Sequence, residues 1–311
     1  MRITALTENT TQGDFGTEHG LSLYIETGTH RVLFDTGQTG LFAENARKLG
    51  IDLGSVDIAV ISHGHYDHGG GLKTFLSANS KAPVYISKYA FEPHYNSEGK
   101  YIGLDRSLMG NSRFIYTNDI TEIEPGMTLY SCNDREKEIP IDASGMKTEI
   151  EPGMTIYSCN DREKEIPIDA SGLKTEIEPG MTIYSCNDME KEIPLDASGL
   201  KMEAGGRMQD EDFRHEQYLL IEEGGKRILI SGCSHKGIIN IVKWFEPDFL
   251  VGGFHFWKLP MDEKLREYSE ILDSFPTEYY TCHCTGTEQY QFMLPLMKKL
   301  HYISTGQTIV L

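Results

Sequence analysis

Four residues of metal-ligating type fall within six positions, His63, His65, Asp67 and His68, in the run SHGHYDHGGGL behind the apolar stretch DIAVIS. Three imidazoles and a carboxylate are a costly furnishing for a loop that holds nothing; the bland alternative is a solvated histidine-rich loop. Histidine is a borderline-soft ligand and carboxylate suits harder cations, so the mixture fits zinc, iron or manganese. Adjacent Asp67 and His68 can point differently from His63 and His65, which lets one short loop serve two metals. A divalent cation lowers the pKa of bound water toward about 7 and polarises a phosphoryl or carbonyl oxygen. The chemistry in view is therefore hydrolysis with a metal-bound hydroxide as nucleophile.

Such a loop needs rigid elements around it. LSLYIETGTHRVLFDTG (21–37) reads as a hairpin turning at Gly28, with apolar alternation on both arms. LFAENARKLG (41–50) has helical spacing and a terminal glycine, and DIAVIS (57–62) is a strand that ends in the histidine loop. LKTFLSA predicts a helix and APVYIS a strand. Further on, QYLLIEEGGKRILISG (217–232) is a second hairpin, turning at Gly224-Gly225. KGIINIVKWF reads as a helix, DFLVGG as a strand, MDEKLREYSEILDSF as a helix and EYYTC as a strand. EQYQFMLPLMKKL reads as a helix and QTIVL as a closing strand. Both halves open with a hairpin and continue in strand–helix alternation, which predicts mixed sheets with helices outside.

Between the halves a 27-residue unit occurs three times, at 121–147, 148–174 and 175–201. The copies differ at Leu129/Ile156/Ile183, Arg135/Arg162/Met189, Ile141/Ile168/Leu195 and Met146/Leu173/Leu200. Within each, MTIYSCND alternates in strand fashion after an EPG turn, and EIPID offers a second extended piece in which proline disfavours a central strand. A unit of about two strands buries little alone but can stack on its neighbours. No copy contains histidine, so Cys132, Cys159 and Cys186 predict a stacked buried row rather than a metal site. The expected organisation is a single domain over 1–311 with the repeats as a β-rich insertion, a tandem expansion of a segment needed once. An exposed edge there would mediate homo-oligomer formation.

The 311 residues suit one large domain or two ordinary ones. The net charge of −18 speaks against a nucleic-acid partner, but only mildly for the body of the chain, because the repeats carry −10 of it. No stretch approaches the roughly 20 apolar residues needed to span a bilayer, so no membrane partner is expected. The start MRITALTENTTQGDF lacks a basic-then-apolar leader, and the six cysteines show no secreted disulfide framework; a cytoplasmic protein is the expectation.

SHGHYDHGGGL resembles the HxHxDH signature of the metallo-β-lactamase-fold hydrolases, which implies an α/β αββα sandwich and a metal site. EHGLSLYIE (18–26), VLFDTGQTGLFAENARKLGI (32–51), SGCSHKGIINIV (231–242) and CHCTG (282–286) narrow the resemblance. They are similar to the branch named for the archaeal dihydropterin–ribofuranosylaminobenzene phosphate synthase, over nearly everything except the extra repeats. The resemblance implies that His63 and His65 hold a first metal, that Asp67 and His68 hold a second, and that His283 matches the last histidine motif. Cys233 stands where the family's bridging aspartate would be. A thiolate is softer, favours zinc or iron, and also occupies the matching position in zinc β-lactamases; a buried structural thiol is the other reading. For the remaining ligand, His215 is favoured by its position before the second hairpin. His235, within GCSH, is a ligand or a proton-transfer residue.

Asp67 or His235 would manage the proton of the nucleophile. Lys236 would hold a substrate phosphate or simply face solvent, and His19 and His255 would line the pocket or serve structure. Asp35 would brace the metal loop from a neighbouring strand. The expected function is a metal-dependent hydrolase with one or two divalent transition metals, zinc foremost, acting on a small anionic, phosphorylated molecule. The alternatives are a synthase-type group transferase, and a non-catalytic repeat-bearing assembly protein on the same scaffold.

Overall fold

The computed structural model describes residues 1–117 and 199–311 throughout. Between them it describes the strands Glu122–Glu124, Met127–Thr128, Thr148–Glu151, Met154–Ile156, Lys174–Glu178 and Met181–Tyr184, with Asn187 and Lys191. The expectation for Cys132, Cys159 and Cys186 lies outside the described residues.

Alternation in the two hairpins builds two seven-stranded sheets that pack face to face. The first runs Thr308–Val310, Arg2–Thr7, Ser22–Glu26, Arg31–Phe34, Ile58–Val60, Val84–Ser87, Phe114–Thr117; the second runs Lys174–Glu178, Met181–Tyr184, Tyr218–Glu223, Lys226–Ile230, Phe249–Gly252, Glu278–Thr281, Leu300–Tyr302. Each is antiparallel through its hairpin and parallel beyond it. Ile3, Leu23, Val32 and Val60 of one sheet meet Leu219, Ile221, Ile228 and Val251 of the other in the shared core. The outward positions bury different residues. Leu6, Leu33 and Ala59 lie in a cluster with Phe42 and Phe75 of the helices Leu41–Lys48 and Leu72–Ala78. Tyr218, Leu229 and Leu250 lie with Ile241 and Leu272 of Ile238–Phe245 and Glu263–Asp273. Helices therefore cover both outer faces, an αββα layering.

The helix read from EQYQFMLPLMKKL is shorter than expected. It spans Thr287–Met293, because Pro295 cannot continue it and restricts Leu294 before it. The strands Arg2–Thr7, Phe114–Thr117 and Leu300–Tyr302 escaped sequence reading, as did Lys201–Ala204 and Arg207–Asp210, a hairpin whose first strand also pairs with the equally unread His94–Tyr95. No helix among the described residues is long and apolar enough to cross a membrane.

Candidate metal centre

The histidine loop leaves the carboxyl end of Ile58–Val60 and turns into the short helix Tyr66–Gly69. Asp67 and His68 sit on helical backbone and His63 and His65 precede it, which gives adjacent donors different directions. Thr36 N–H donates to the His68 carbonyl at 2.7 Å and Leu21 N–H to that of Asp67 at 3.2 Å, tying this helix to the first hairpin. Asp35 braces the loop as the sequence predicts. Its carboxylate accepts from the Ser62 N–H and hydroxyl, each at 2.7 Å, and pairs with His68 Nδ1 at 2.6 Å.

The partners of each ring fix which nitrogen is left over. Because Ser62 Oγ donates to Asp35, it is free to accept from His63 Nδ1 at 2.8 Å, and His63 Nε2 is buried without a partner. His68 Nδ1 is engaged by Asp35, leaving Nε2. His283 Nδ1 donates to Asn9 Oδ1 at 2.8 Å, leaving Nε2. His65 Nε2 faces the Glu211 carboxylate at 3.1 and 3.2 Å, leaving Nδ1. In each case the far nitrogen is held by an oxygen and the near one keeps a lone pair, the arrangement seen in metal-binding histidines.

The free donors converge. His68 Nε2 lies 3.1 Å from Cys233 Sγ, 3.2 Å from His283 Nε2 and 3.8 Å from Asp67 Oδ2, and His283 Nε2 lies 3.4 Å from Asp67 Oδ2. A tetrahedral ion with bonds of 2.0–2.3 Å separates its ligands by about 3.3–3.8 Å; the Asp67 distances fall within this range and the His68 distances to Cys233 and His283 just short of it, so the set approaches the spacing of a divalent cation's ligands. A second set adjoins it: one donor atom each from His63, His65 and His235 lie within 4.8 Å of one another. Both ring nitrogens of His235 are buried and unpartnered, and the ring stacks on Phe213 at 4.4 Å. Burial, reinforced by neighbouring histidines, pushes the His63 and His235 pKa values well down, so both rings are neutral. Burial would raise Asp67, but His68, a hydrogen bond from His19 and the adjacent His283 hold it well below the usual carboxylate range.

The structure thus gathers His63, His65, Asp67, His68, Cys233, His235 and His283 at the carboxyl ends of strands from both sheets. Close approach there needs Gly232, whose Cβ would collide with Ser62 Oγ. Among the described residues, five of the six non-glycine residues with positive φ, Asp35, Phe213, Ser234, His255 and His283, border this region, which marks it as over-determined by its surroundings.

Two sequence expectations need correction. His215 does not join His63 and His65 with a free nitrogen. Its Nδ1 accepts from Gly64 N–H at 2.7 Å and its Nε2 lies 2.5 Å from Glu211 Oε1. Lys236 is buried, 1% exposed, and its Nζ donates to the Glu216 carbonyl at 2.9 Å, so it does not face solvent or an entering phosphate. His19 stands at the rim, half exposed, with Nε2 3.2 Å from Asp67 Oδ2. His255 is part-buried with its ring 4.3 Å from that of His235.

Sequence reading missed Glu211, His94, Asn9 and Cys284. Glu211 and His94 are carried in by the small sheet of Lys201–Ala204, Arg207–Asp210 and His94–Tyr95. The Gly205-Gly206 pair between alternating residues was the available signal for that hairpin. Cys284 puts its sulfur within 4.8 Å of the donors of Cys233 and His283.

Residues 16–143 match the family model of the metallo-beta-lactamase superfamily. The chain is 28% identical to an uncharacterized protein of Methanocaldococcus jannaschii, over 91% of this chain and 90% of that one. It is 24% identical to the same organism's 7,8-dihydropterin-6-methyl-4-(beta-D-ribofuranosyl)-aminobenzene-5'-phosphate synthase, over 95% and 90%. Among solved structures it resembles Tm1679, a metal-dependent hydrolase of the beta-lactamase superfamily, with a TM-score of 0.69, 26% identity and 100% and 99% coverage. The metallo-beta-lactamase fold protein YhfI from Bacillus subtilis aligns with a TM-score of 0.51 at 12% identity, over 99% and 98%.

Proposed function

We propose that this chain, which carries a metallo-beta-lactamase superfamily domain, is a metal-dependent hydrolase of a small anionic, phosphorylated molecule. The observation that supports it most is the set of lone-pair donors left over once the far ring nitrogens of His63, His65, His68 and His283 are satisfied, gathered within reach of divalent cations. His63, His65 and His235 would hold one ion, and Asp67, His68, Cys233 and His283 a second. Nitrogen and sulfur donors in tetrahedral spacing favour zinc over iron or manganese. A cation held there supplies Lewis acidity, acidifying water toward about pKa 7 and polarising a phosphoryl oxygen. His19 Nε2, 3.2 Å from Asp67 Oδ2 and open to solvent, would orient that carboxylate toward the ion. His19 and His255 contact the substrate at the rim, and water is kept from the inner face by Phe213 against His235.

Group transfer of the synthase type is the second reading, supported by the 24% identical relative that carries that name. Metal analysis of purified protein, followed by a screen of phosphoesters, lactones and pterin derivatives on the loaded enzyme, tests both. Near-stoichiometric transition metal, lost in His63→Ala/His65→Ala, and turnover of a phosphoester are expected. Native protein free of metal overturns the reading.

A further inference from the structure

Beside the metal donors lies a second buried polar cluster that the proposed chemistry does not use. Glu211 Oε1 is 2.5 Å from His215 Nε2, 2.8 Å from His94 Nδ1 and 3.1 Å from His65 Nε2, and all four residues are buried. Three imidazoles around one carboxylate have the composition of a third metal site. Their spacing argues otherwise. A zinc ion would hold these donors about 3.3–3.4 Å apart, whereas the 2.5 and 2.8 Å from Glu211 to His215 and His94 are too short for two ligands of one ion.

The tautomers of His215 and His65 close without a cation, whereas His94 is buried with neither ring nitrogen hydrogen-bonded. Gly64 N–H donates to His215 Nδ1 at 2.7 Å, so the proton of a neutral His215 must sit on Nε2, where Glu211 Oε1 accepts it. The same carboxylate is left to accept His65 Nε2–H, and that leaves His65 a lone pair on Nδ1 only.

We propose that Glu211 is a positioning residue that locks His65 as an Nδ1 metal ligand. His215 is the anchor that aims this carboxylate, not a ligand itself. The proposal rests on the metal-centre reading above. A backbone amide therefore sets, through two side chains, which nitrogen a metal ligand offers. The chain is Gly64 N–H to His215, His215 to Glu211, and Glu211 to His65. Gly64 suits the role because its backbone lies against Ala90, where a side chain would clash with the carbonyl.

Two variants separate the possibilities. In Glu211→Gln the amide N–H₂ must face one imidazole, so it competes with the His65 Nε2 proton and favours the wrong tautomer. In His215→Gln the side chain can still accept from Gly64 and donate to Glu211, so the lock survives. Zinc is titrated into metal-stripped wild type and both variants against a chromophoric chelator. Long-range proton–nitrogen correlation NMR reads the histidine tautomers of the zinc-loaded proteins, with folding followed by circular dichroism. Glu211→Gln should bind the weaker-held zinc about 10–100-fold less tightly and lose the Nε2-protonated, Nδ1-metallated signature. His215→Gln should keep both within about threefold. Equal affinity in Glu211→Gln, a tenfold loss in His215→Gln, or a third zinc equivalent that disappears with Glu211 would each overturn the proposal. Wild type that binds no zinc overturns the metal-centre reading and this proposal with it. Should Glu211→Gln fail to fold, the His215→Gln affinity and the wild-type tautomer of His65 still decide.

Discussion

At the residue scale, what could be read from sequence was whatever lay close together in it. His63, His65, Asp67 and His68 announce themselves because a turn and one helical step put four donors on one loop. Glu211 and His94 carry no such signal, since their meeting depends on strand pairing between Met202 and His94 across a long stretch of chain. How His215 is oriented was not legible, because its place in the chain says nothing about which way its nitrogens point; the Gly64 amide engages Nδ1. Cys233 makes the sharpest single-residue prediction. Its sulfur lies 3.1 Å from His68 Nε2, and burial pushes its thiol pKa up, so the thiol stays neutral until a cation draws it into the thiolate form. Cys233→Ser removes the soft donor and keeps the volume close. Zinc affinity should fall on the order of tenfold or more, and the thiolate charge-transfer absorption of the cobalt-substituted protein should vanish. An unchanged cobalt spectrum would return Cys233 to a packing role.

At the element scale, both flanking hairpins were legible from period-two alternation around glycine turns, and the short helices from their spacing. Sheet neighbours were not, because pairing is a long-range choice that local pattern leaves open. The repeats show this best. All three copies form a hairpin in one register: Glu122↔Thr128, Glu149↔Thr155 and Glu176↔Thr182 are equivalent pairs, with the same shift before the turn. Among the described residues only the third pairs with the main sheet, through Ile183↔Leu219, and Ile183 is 2% exposed in the core between the sheets. The sequence equivalents Leu129 and Ile156 are of similar size. Deleting 148–201 joins Lys147 to Met202, the same Lys-Met junction that the full chain has at Lys201, and leaves copy one for the edge. That protein should keep its metal content and near-ultraviolet circular dichroism, with a stability change below about 1.5 kcal/mol for one leucine-for-isoleucine exchange. Deleting 121–201 removes the edge hairpin outright, strips Tyr218–Glu223 of its neighbour, and should give aggregated or unfolded protein in the same assays. Equal damage from both deletions would mean that the copies are not interchangeable.

At the scale of the whole molecule, the donors come from both sides of the interface between the sheets. His63, His65, Asp67 and His68 follow a strand of the first sheet, whereas Cys233, His235 and His283 follow strands of the second. A cation bound by both sets acts as a clasp across the inter-sheet core. Any ligand that binds the folded chain alone stabilises it by mass action, about 4 kcal/mol at a thousandfold excess over its dissociation constant. Here the stabilisation is confined to the strand ends that the ion joins. Without it, the partly buried polar atoms of His63 and His235 face each other with no partner, and both sheets lose their common restraint at that end. Chelation should therefore lower the thermal midpoint by several degrees and raise amide exchange most at 61–65, 231–235 and 282–285, with the far ends of the same strands little changed. His63→Ala/His65→Ala should show part of the lowered midpoint from the start and a smaller response to chelator. An even rise in exchange over both sheets would place the effect in global stability and remove the clasp.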